Sequence, residues 1–388
     1  MLSFDNTEVA FSSKSNSDLN RSYWLFKMVS NPALVNFGAK FTNIAIKLHL
    51  PIKTAIKATI FKQFCGGETI EECHTAIKEL GDFKIGTILD YSIEGKESET
   101  DFDSCTEETI KTIHRAKGEK NIPFSVFKVT GLGRFALLEK ANDQLENLNT
   151  DEKAEYARLY NRIYRICSEA HKNEVPVFID AEDSWIQNTI DRLADEMMEN
   201  FNKVRPLVYN TYQLYRHDRL SFLKESFKRA QEKGYCLGAK LVRGAYMEKE
   251  RERALHKGYA DPIQPTKEAT DRDYNLALRF CIENISKIGL CAGTHNEESS
   301  RILADLISEF KVDKHNKNIF FSQLLGMSDH ISYNLAYNGY NVAKYVPYGP
   351  VNEVLPYLIR RAQENTSVKG QTGRELSLII KEKSRRQK

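Results

Sequence analysis

A chain of 388 residues, 41% hydrophobic and 28% charged, has the makeup of an ordinary folded protein, long enough for one large domain or a domain with an appendage. Its net charge of +3 is near neutral for this length and gives no electrostatic case for nucleic acid as a partner. The seven cysteines (Cys65, Cys73, Cys105, Cys167, Cys236, Cys281, Cys291) are scattered, with no Cys-x-x-Cys pair, which fits a reducing compartment and argues against a disulfide framework or thiolate metal site.

The N-terminal stretch MLSFDNTEVAFSSKSNSDLN carries Asp5, Glu8 and Asp18 and has no apolar h-region, so it reads as neither a secretory signal nor a transit peptide. No apolar run is long enough to span a bilayer, and the expected address is cytoplasmic. Residues 18–85 read as helical. Asp18 is placed to cap a helix containing Tyr23, Leu25 and Phe26; Pro32 sits where a second helix would begin, and Pro51 opens a third segment closed by Gly66-Gly67. Thr69 with Glu72 resembles a capping box. These helices form an arm, residues 1–84, ahead of the first strand.

From there eight strand-like runs follow: Ile85–Tyr91, Phe124–Val129, Val175–Ile179, Pro206–Tyr212, Cys236–Val242, Leu290–Gly293, Ile319–Gln323 and Asn341–Val346. Helix-compatible segments separate them, an alternation that implies a parallel sheet and, at eight units, an α/β fold of the (β/α)8 TIM type over residues 85–369. The span of about 280 residues suits the roughly 250 typical of that barrel plus insertions. The alternative, a doubly wound open sheet, usually carries a Gly-x-Gly-x-x-Gly turn in a nucleotide enzyme, and none is present. The charged stretch Glu94–Asp103 reads as a solvated loop, and residues 370–388 as a frayed basic tail.

Barrel function collects at the C-terminal ends of strands. There the sequence is polar: Lys128, Asp180, Gln213 with Tyr215, Lys240 with Arg243, Thr294-His295-Asn296, Gln323 and Tyr345. Each has a bland reading alone. Lys128 can snorkel, Asp180 can cap the next helix, and His295 can be a satisfied core histidine; together they fall on one rim. Lys128, Lys240, Arg243, Arg360 and Arg361 form a cationic set answered by few acids (Asp180, Glu182, Glu364), which suits an anionic ligand. The small residues of Arg243-Gly244-Ala245 would let backbone approach a phosphate. Asp180, Glu182 and His295 are conceivable metal ligands, but the surrounding cations oppose a dication, so no metal is expected. Arg360-Arg361 lies on a helix whose apolar neighbours leave its direction open.

With these residues in view, the chain resembles the proline dehydrogenase (proline oxidase) family, in its monofunctional form. The resemblance runs from about Phe61 to the arginine pair. It rests on LGAKLVRGAYMEKERERA with the following DPIQPTKEATD, on FIDAED and GTHN, and on YVPYGPVNEVLPYLIRRAQEN, in order and spacing together. It implies a distorted (β/α)8 barrel with helical arms, non-covalently bound FAD, and oxidation of L-proline to Δ1-pyrroline-5-carboxylate. Arg360 and Arg361 would clamp the proline carboxylate with help from Lys128. Tyr345, Tyr246 and Leu241 would enclose the ring. Asp180 would hold the cationic group in check, and Lys240 would lie near the reactive flavin nitrogen. Ala181, Gln213, Arg243, Gly244, Ala245, Thr294 and His295 would contact FAD, with Asn296, Gln323 and Glu364 as further candidates. Some members carry Arg where Lys240 stands and Lys where Arg243 stands, so the charge matches but the guanidinium fork beside the flavin does not.

The resemblance also implies a membrane quinone as electron acceptor, hence peripheral contact at an inner membrane. It implies a separate pyrroline-5-carboxylate dehydrogenase downstream, since the chain ends soon after the barrel. The bulk of Tyr345 predicts preference for proline over hydroxyproline. Two rivals remain: a Schiff-base aldolase using Lys128 or Lys240, and a flavin- or amino-acid-binding barrel that has lost its chemistry.

Overall fold

A computed structural model of the chain describes residues 2–29, 53–92, 97–367 and 371–387. The helix starts expected at Pro32 and Pro51 lie outside the described residues. In chain order the elements are α1 (Asn16–Val29), α2 (His74–Asp82), β1 (Ile85–Tyr91), α3 (Glu99–Ala116), β2 (Phe124–Lys128), α4 (Thr150–Lys172), β3 (Val177–Asp180), α5 (Ser184–Phe201) and β4 (Val208–Gln213). They continue with α6 (Arg219–Lys233), β5 (Leu237–Val242), α7 (Met247–Lys257), α8 (Lys267–Glu283), β6 (Ile288–Gly293), α9 (Glu297–Glu309), β7 (Ile319–Leu324), α10 (Asp329–Tyr337), β8 (Val342–Tyr348), α11 (Val351–Ser367) and α12 (Gln371–Arg386), with shorter helical turns between. The strands follow one another in chain order as a closed parallel barrel, as the alternation predicts. By packing, the chain forms two compact units, Gly95–Ser322 and Met1–Glu94 with Gln323–Lys388.

In the unit Gly95–Ser322, strand starts are set by backbone chemistry. Pro176 lacks an amide proton and Pro206 likewise, and β3 and β4 each begin two residues after the expected Val175 and Pro206, at Val177 and Val208. Asn202 Oδ1 accepts from the amides of both Leu207 and Val208, at 3.0 and 2.8 Å. β3 ends at Asp180 and β4 at Gln213, so both residues close a strand. The stretch expected as a solvated loop to Asp103 is helical from Glu99, with Ser98 accepting from the Asp101 amide as cap. Asn149 and Glu152 form a reciprocal capping box for α4.

In the other unit, β1 and β8 pair in parallel over their full length, from Ile85 opposite Val342 to Tyr91 opposite Tyr348. Helix α1 begins one turn before its expected cap. Ser15 Oγ accepts from the Asp18 amide and Asp18 accepts from the Ser15 amide, so Ser15 is the cap and Asp18 its partner inside the helix. The expected frayed tail is instead the helix α12, which buries Leu378 and Ile379 in one cluster with Leu25, Phe26, Phe61, Phe64, Val354 and Leu358. Arg386 donates to the carbonyls of Lys14 and Phe11 at 2.8 and 2.9 Å, and Arg374 pairs with Asp5 at 2.7 Å. Its basic residues are therefore part of the fold.

Candidate active site

Within the unit Gly95–Ser322, four aromatic rings from separate strands fix which face of each strand points inward. Phe124 stacks on Phe178 with centroids 4.3 Å apart, and Tyr209 and Phe320 meet Phe124 edge-on. Gly289 makes room for Tyr209; a Cβ there would lie 2.3 Å from the phenol oxygen. Side chains alternate along a strand. Lys128, Asp180, Gln213 and Lys240 therefore share the face of these rings, nearer the C-terminal ends.

On that face Lys240 Nζ donates to Asp180 Oδ1 at 2.5 Å, with the two side chains 7% and 13% exposed. Lys240 also stands 5.5 Å from the centroid of Phe178. Lys128 is half-buried and opposite Asp180 in register. Asp180 is thus a partner of Lys240 and does not cap α5, whose N-terminal flanking residue is Asp183. Two charges this deep are stable only when paired and hydrogen-bonded.

Beside them Ala181 is buried, and Glu182, read from sequence only as an answering acid and a conceivable metal ligand, is a buried carboxylate. It accepts from the Thr130 amide at 3.0 Å and from Thr130 Oγ1 at 2.5 Å. Burial raises its pKa to about 7, against the pull of those two bonds and of the Lys128 charge.

At the end of β5 the Arg243 guanidinium is engaged inside the fold. It pairs with Asp271 at 2.7 Å, donates to Thr294 Oγ1 at 2.7 Å and to Ser299 Oγ at 2.9 Å, and lies 4.4 Å from the Tyr274 centroid. Gly244 has φ +136°, and a Cβ on it would fall 2.4 Å from the Tyr215 ring. The positive φ and the Tyr215 ring already require glycine there. Ala245 is exposed and Tyr246 partly so. Thr294 Oγ1 also accepts from the Asn296 amide, and Asn296 Oδ1 accepts from the Ser299 amide as the cap of α9. His295 is half-buried beside them.

Leu241 departs from expectation. It is opposite Tyr212 in register, and the Tyr212 ring packs at 6.0 Å against Phe222 of α6. Leu241 therefore faces the helical layer, opposite to Lys240, and is not placed to enclose a ring on the inner face.

The other unit carries the remaining candidates. Lys344 of β8 is buried and pairs with Asp329 at 2.7 Å, while Tyr345, on the opposite face of the strand, is 6% exposed. Gln323 is buried and its Oε1 accepts from Ser332 Oγ at 2.8 Å. Along α11, Val354, Leu355, Tyr357 and Leu358 are buried in the apolar cluster. Arg361 follows one turn after Tyr357; its guanidinium lies 5.1 Å from that ring and the residue is 8% exposed. Arg360 is half-buried. Neither arginine stands free in bulk water, the direction that periodicity left open. The side chain of Glu364 lies outside the described residues.

Comparison with known proteins decides the family. The family profile described as proline dehydrogenase matches residues 73–374. The chain belongs to the proline dehydrogenase family. As a member it is an oxidoreductase. Proline dehydrogenase 1, mitochondrial, of Dictyostelium discoideum is 36% identical, over 98% of this chain and 74% of that protein. Hydroxyproline dehydrogenase of Xenopus laevis is 32% identical, over 99% of this chain and 90% of that one. The crystal structure of proline utilization A from Bdellovibrio bacteriovorus, inactivated by N-propargylglycine, superposes with a TM-score of 0.73 at 20% identity. That match covers 93% of this chain and 38% of the other, and shows the fold.

Within this proline dehydrogenase family member, the inner-face lysine–aspartate pair stands where the sequence placed polar residues. The sequence marks Glu182 only as an answering acid or conceivable metal ligand and gives Asp271 no role, because an acid within a charged stretch carries no mark of burial. Among the described residues no helix is long and apolar enough to cross a membrane.

Proposed function

We propose that this protein oxidises L-proline to Δ1-pyrroline-5-carboxylate with bound FAD, passing the electrons to a quinone. The observation that carries this reading is the buried Lys240–Asp180 pair on the inner face of the barrel strands, in a chain of this family. The donor set suits the cofactor: an anionic dinucleotide needs cations, amides and hydroxyls, and Lys240, Gln213, Arg243, Thr294 and His295 supply them. Ala181, Gly244 and Ala245 would offer backbone, with Asn296, Gln323 and Glu364 as further contacts. Arg243 would serve mainly as fixed charge, since its donors already hold Asp271, Thr294 and Ser299.

When bound, FAD supplies the hydride-accepting chemistry. The chain supplies orientation and charge. Arg360 and Arg361, with Lys128, hold the substrate carboxylate through charge-assisted bonds. Tyr246 and Tyr345 flank the ring. Lys240 provides positive charge where negative charge develops, and Asp180 keeps its ammonium in place. The substrate amine must be neutral to react, so these cations also disfavour its protonated form near them. Lys240 Nζ is engaged by Asp180, which tells against Lys240 as the nucleophile of the aldolase reading; Lys128, its other candidate, is tested by the borohydride trapping below.

The reading extends to partners. A quinone acceptor resides in a membrane, so peripheral membrane contact is part of the proposal, as is a separate dehydrogenase consuming the product. The bulk of Tyr345 disfavours a ring hydroxyl, so kcat/KM for L-proline should exceed that for hydroxyproline. The decisive experiment is the visible spectrum of the purified protein. A flavin spectrum bleached by L-proline under argon supports the proposal, and a colourless protein trapped by borohydride with a carbonyl compound rejects it.

A further inference from the structure

The helix after β5, which begins just past Tyr246, has little apolar anchorage. Ala254 is buried, but Met247 is 43% and Leu255 83% exposed. In its first turn stands Glu250, an acid fully withdrawn from solvent. Its carboxylate accepts from the Ser184 amide at 2.7 Å and from Ser184 Oγ at 2.5 Å. Ser184 opens α5, so Glu250 satisfies an amide that this helix cannot pair within itself and sits at its positive end. Burial raises the Glu250 pKa, and the Ser184 bonds act to lower it.

The clasp is reinforced on both sides. Lys249 pairs with Asp183 at 2.8 Å. Lys249 and Arg253 lie 5.1 and 4.3 Å from the Trp185 ring, and Arg253 also bonds Glu139. The clasp reaches Tyr246 through the backbone of the helix it seats. The Glu250 amide donates to the Tyr246 carbonyl at 2.9 Å, and Lys249 stands 5.8 Å from the Tyr246 ring. At the other end of the segment, Arg243 and Gly244 are fixed by Asp271 and Tyr215. The four residues Arg243 to Tyr246 are thus tied at both ends, and Glu250 is the tie on the Tyr246 side.

We propose that Glu250 is a positioning residue: by clasping Ser184 it sets where Tyr246 stands at the end of β5, and so governs capture of the substrate ring and not the oxidation step. This rests on the functional reading above, in which Tyr246 flanks the ring. No bond forms or breaks at Glu250.

The chain has two tryptophans, so in a Trp24→Phe background Trp185 alone reports how the helix is seated. Trp24 is 58% exposed on α1, outside the proposed site. In the flavin-loaded protein, Glu250→Ala should raise KM for L-proline about tenfold while kcat changes less than about threefold. The Trp185 emission should shift as Lys249 and Arg253 leave the ring. Glu250→Gln keeps an acceptor for the Ser184 amide and should restore most of both signals. If Glu250→Ala does not fold, Ser184→Ala decides: it removes one of the two bonds, and KM should rise about twofold to fivefold. An unchanged KM with unchanged Trp185 emission in either variant overturns the proposal. So does a fall in kcat at constant KM. A wild-type protein that L-proline does not reduce overturns the functional reading, and the proposal with it. A reducible wild type beside an unaltered Glu250→Ala overturns the proposal alone.

Discussion

Two helices that bear on the proposed site are anchored by opposite means. Helix α11, which carries Arg360 and Arg361, sinks Val354, Leu355, Tyr357 and Leu358 into an apolar cluster. Helix α7 is held through Glu250 on Ser184 and Lys249 on Asp183, with Leu255 left 83% exposed. The first kind of anchor is strong and indifferent to direction, since apolar burial acts through area. The second is weaker but fixes geometry, because a carboxylate shared between an amide and a hydroxyl has one seating. An arginine pair that must be rigid and a segment that must be aimed are served differently.

The contrast can be broken from the apolar side first. Leu358→Ala should cost about 2–5 kcal/mol of unfolding free energy by urea titration, the transfer term plus a cavity. Leu255→Ser on α7 should stay within about 0.5 kcal/mol. Equal effects at the two positions would erase the distinction.

A second test concerns Glu182, another polar tie of the same unit as α7. Its pKa is about 7 in the folded chain against an ordinary 4.5, so the folded state holds the proton more tightly. The stability it contributes is full below about pH 4.5 and is lost as the pH rises through 7, on the order of 3 kcal/mol in all. Thermal unfolding between pH 5 and 8 should therefore show Tm falling with pH, over and above other groups. Glu182→Gln should remove that part of the slope. An identical slope in the variant would show that Glu182 does not titrate there.

Much of the barrel was legible because eight apolar runs of strand length alternate with helical segments, and all eight are strands. Boundaries slipped where proline or Asn202 delays a ladder, as at β3 and β4. The C-terminal helix was misread because Arg374, Lys381, Arg385 and Arg386 mask the apolar pair Leu378 and Ile379. The rim residues stood out, since a lone Asp180 or Lys240 at the end of an apolar strand is an anomaly. Their pairing was not legible: Asp180 and Lys240 are 60 residues apart and on non-adjacent strands. Nor was the burial of Glu182 and Glu250, which lie among charged neighbours where a buried acid and a solvated one look alike. The place of Leu241 came from the resemblance, and strand parity turns it to the helical layer, away from the face of Lys240.

The central claim is that fixed guanidinium charge on α11 holds the substrate carboxylate while the rest of the chain orients the ring for oxidation. Its most direct measurement is anaerobic flavin reduction in Arg361→Met as a function of L-proline concentration. The apparent Kd should rise by the equivalent of about 1.5–3 kcal/mol, roughly tenfold to more than a hundredfold, with the limiting rate changed far less. A variant that binds L-proline as tightly as the wild type would contradict it.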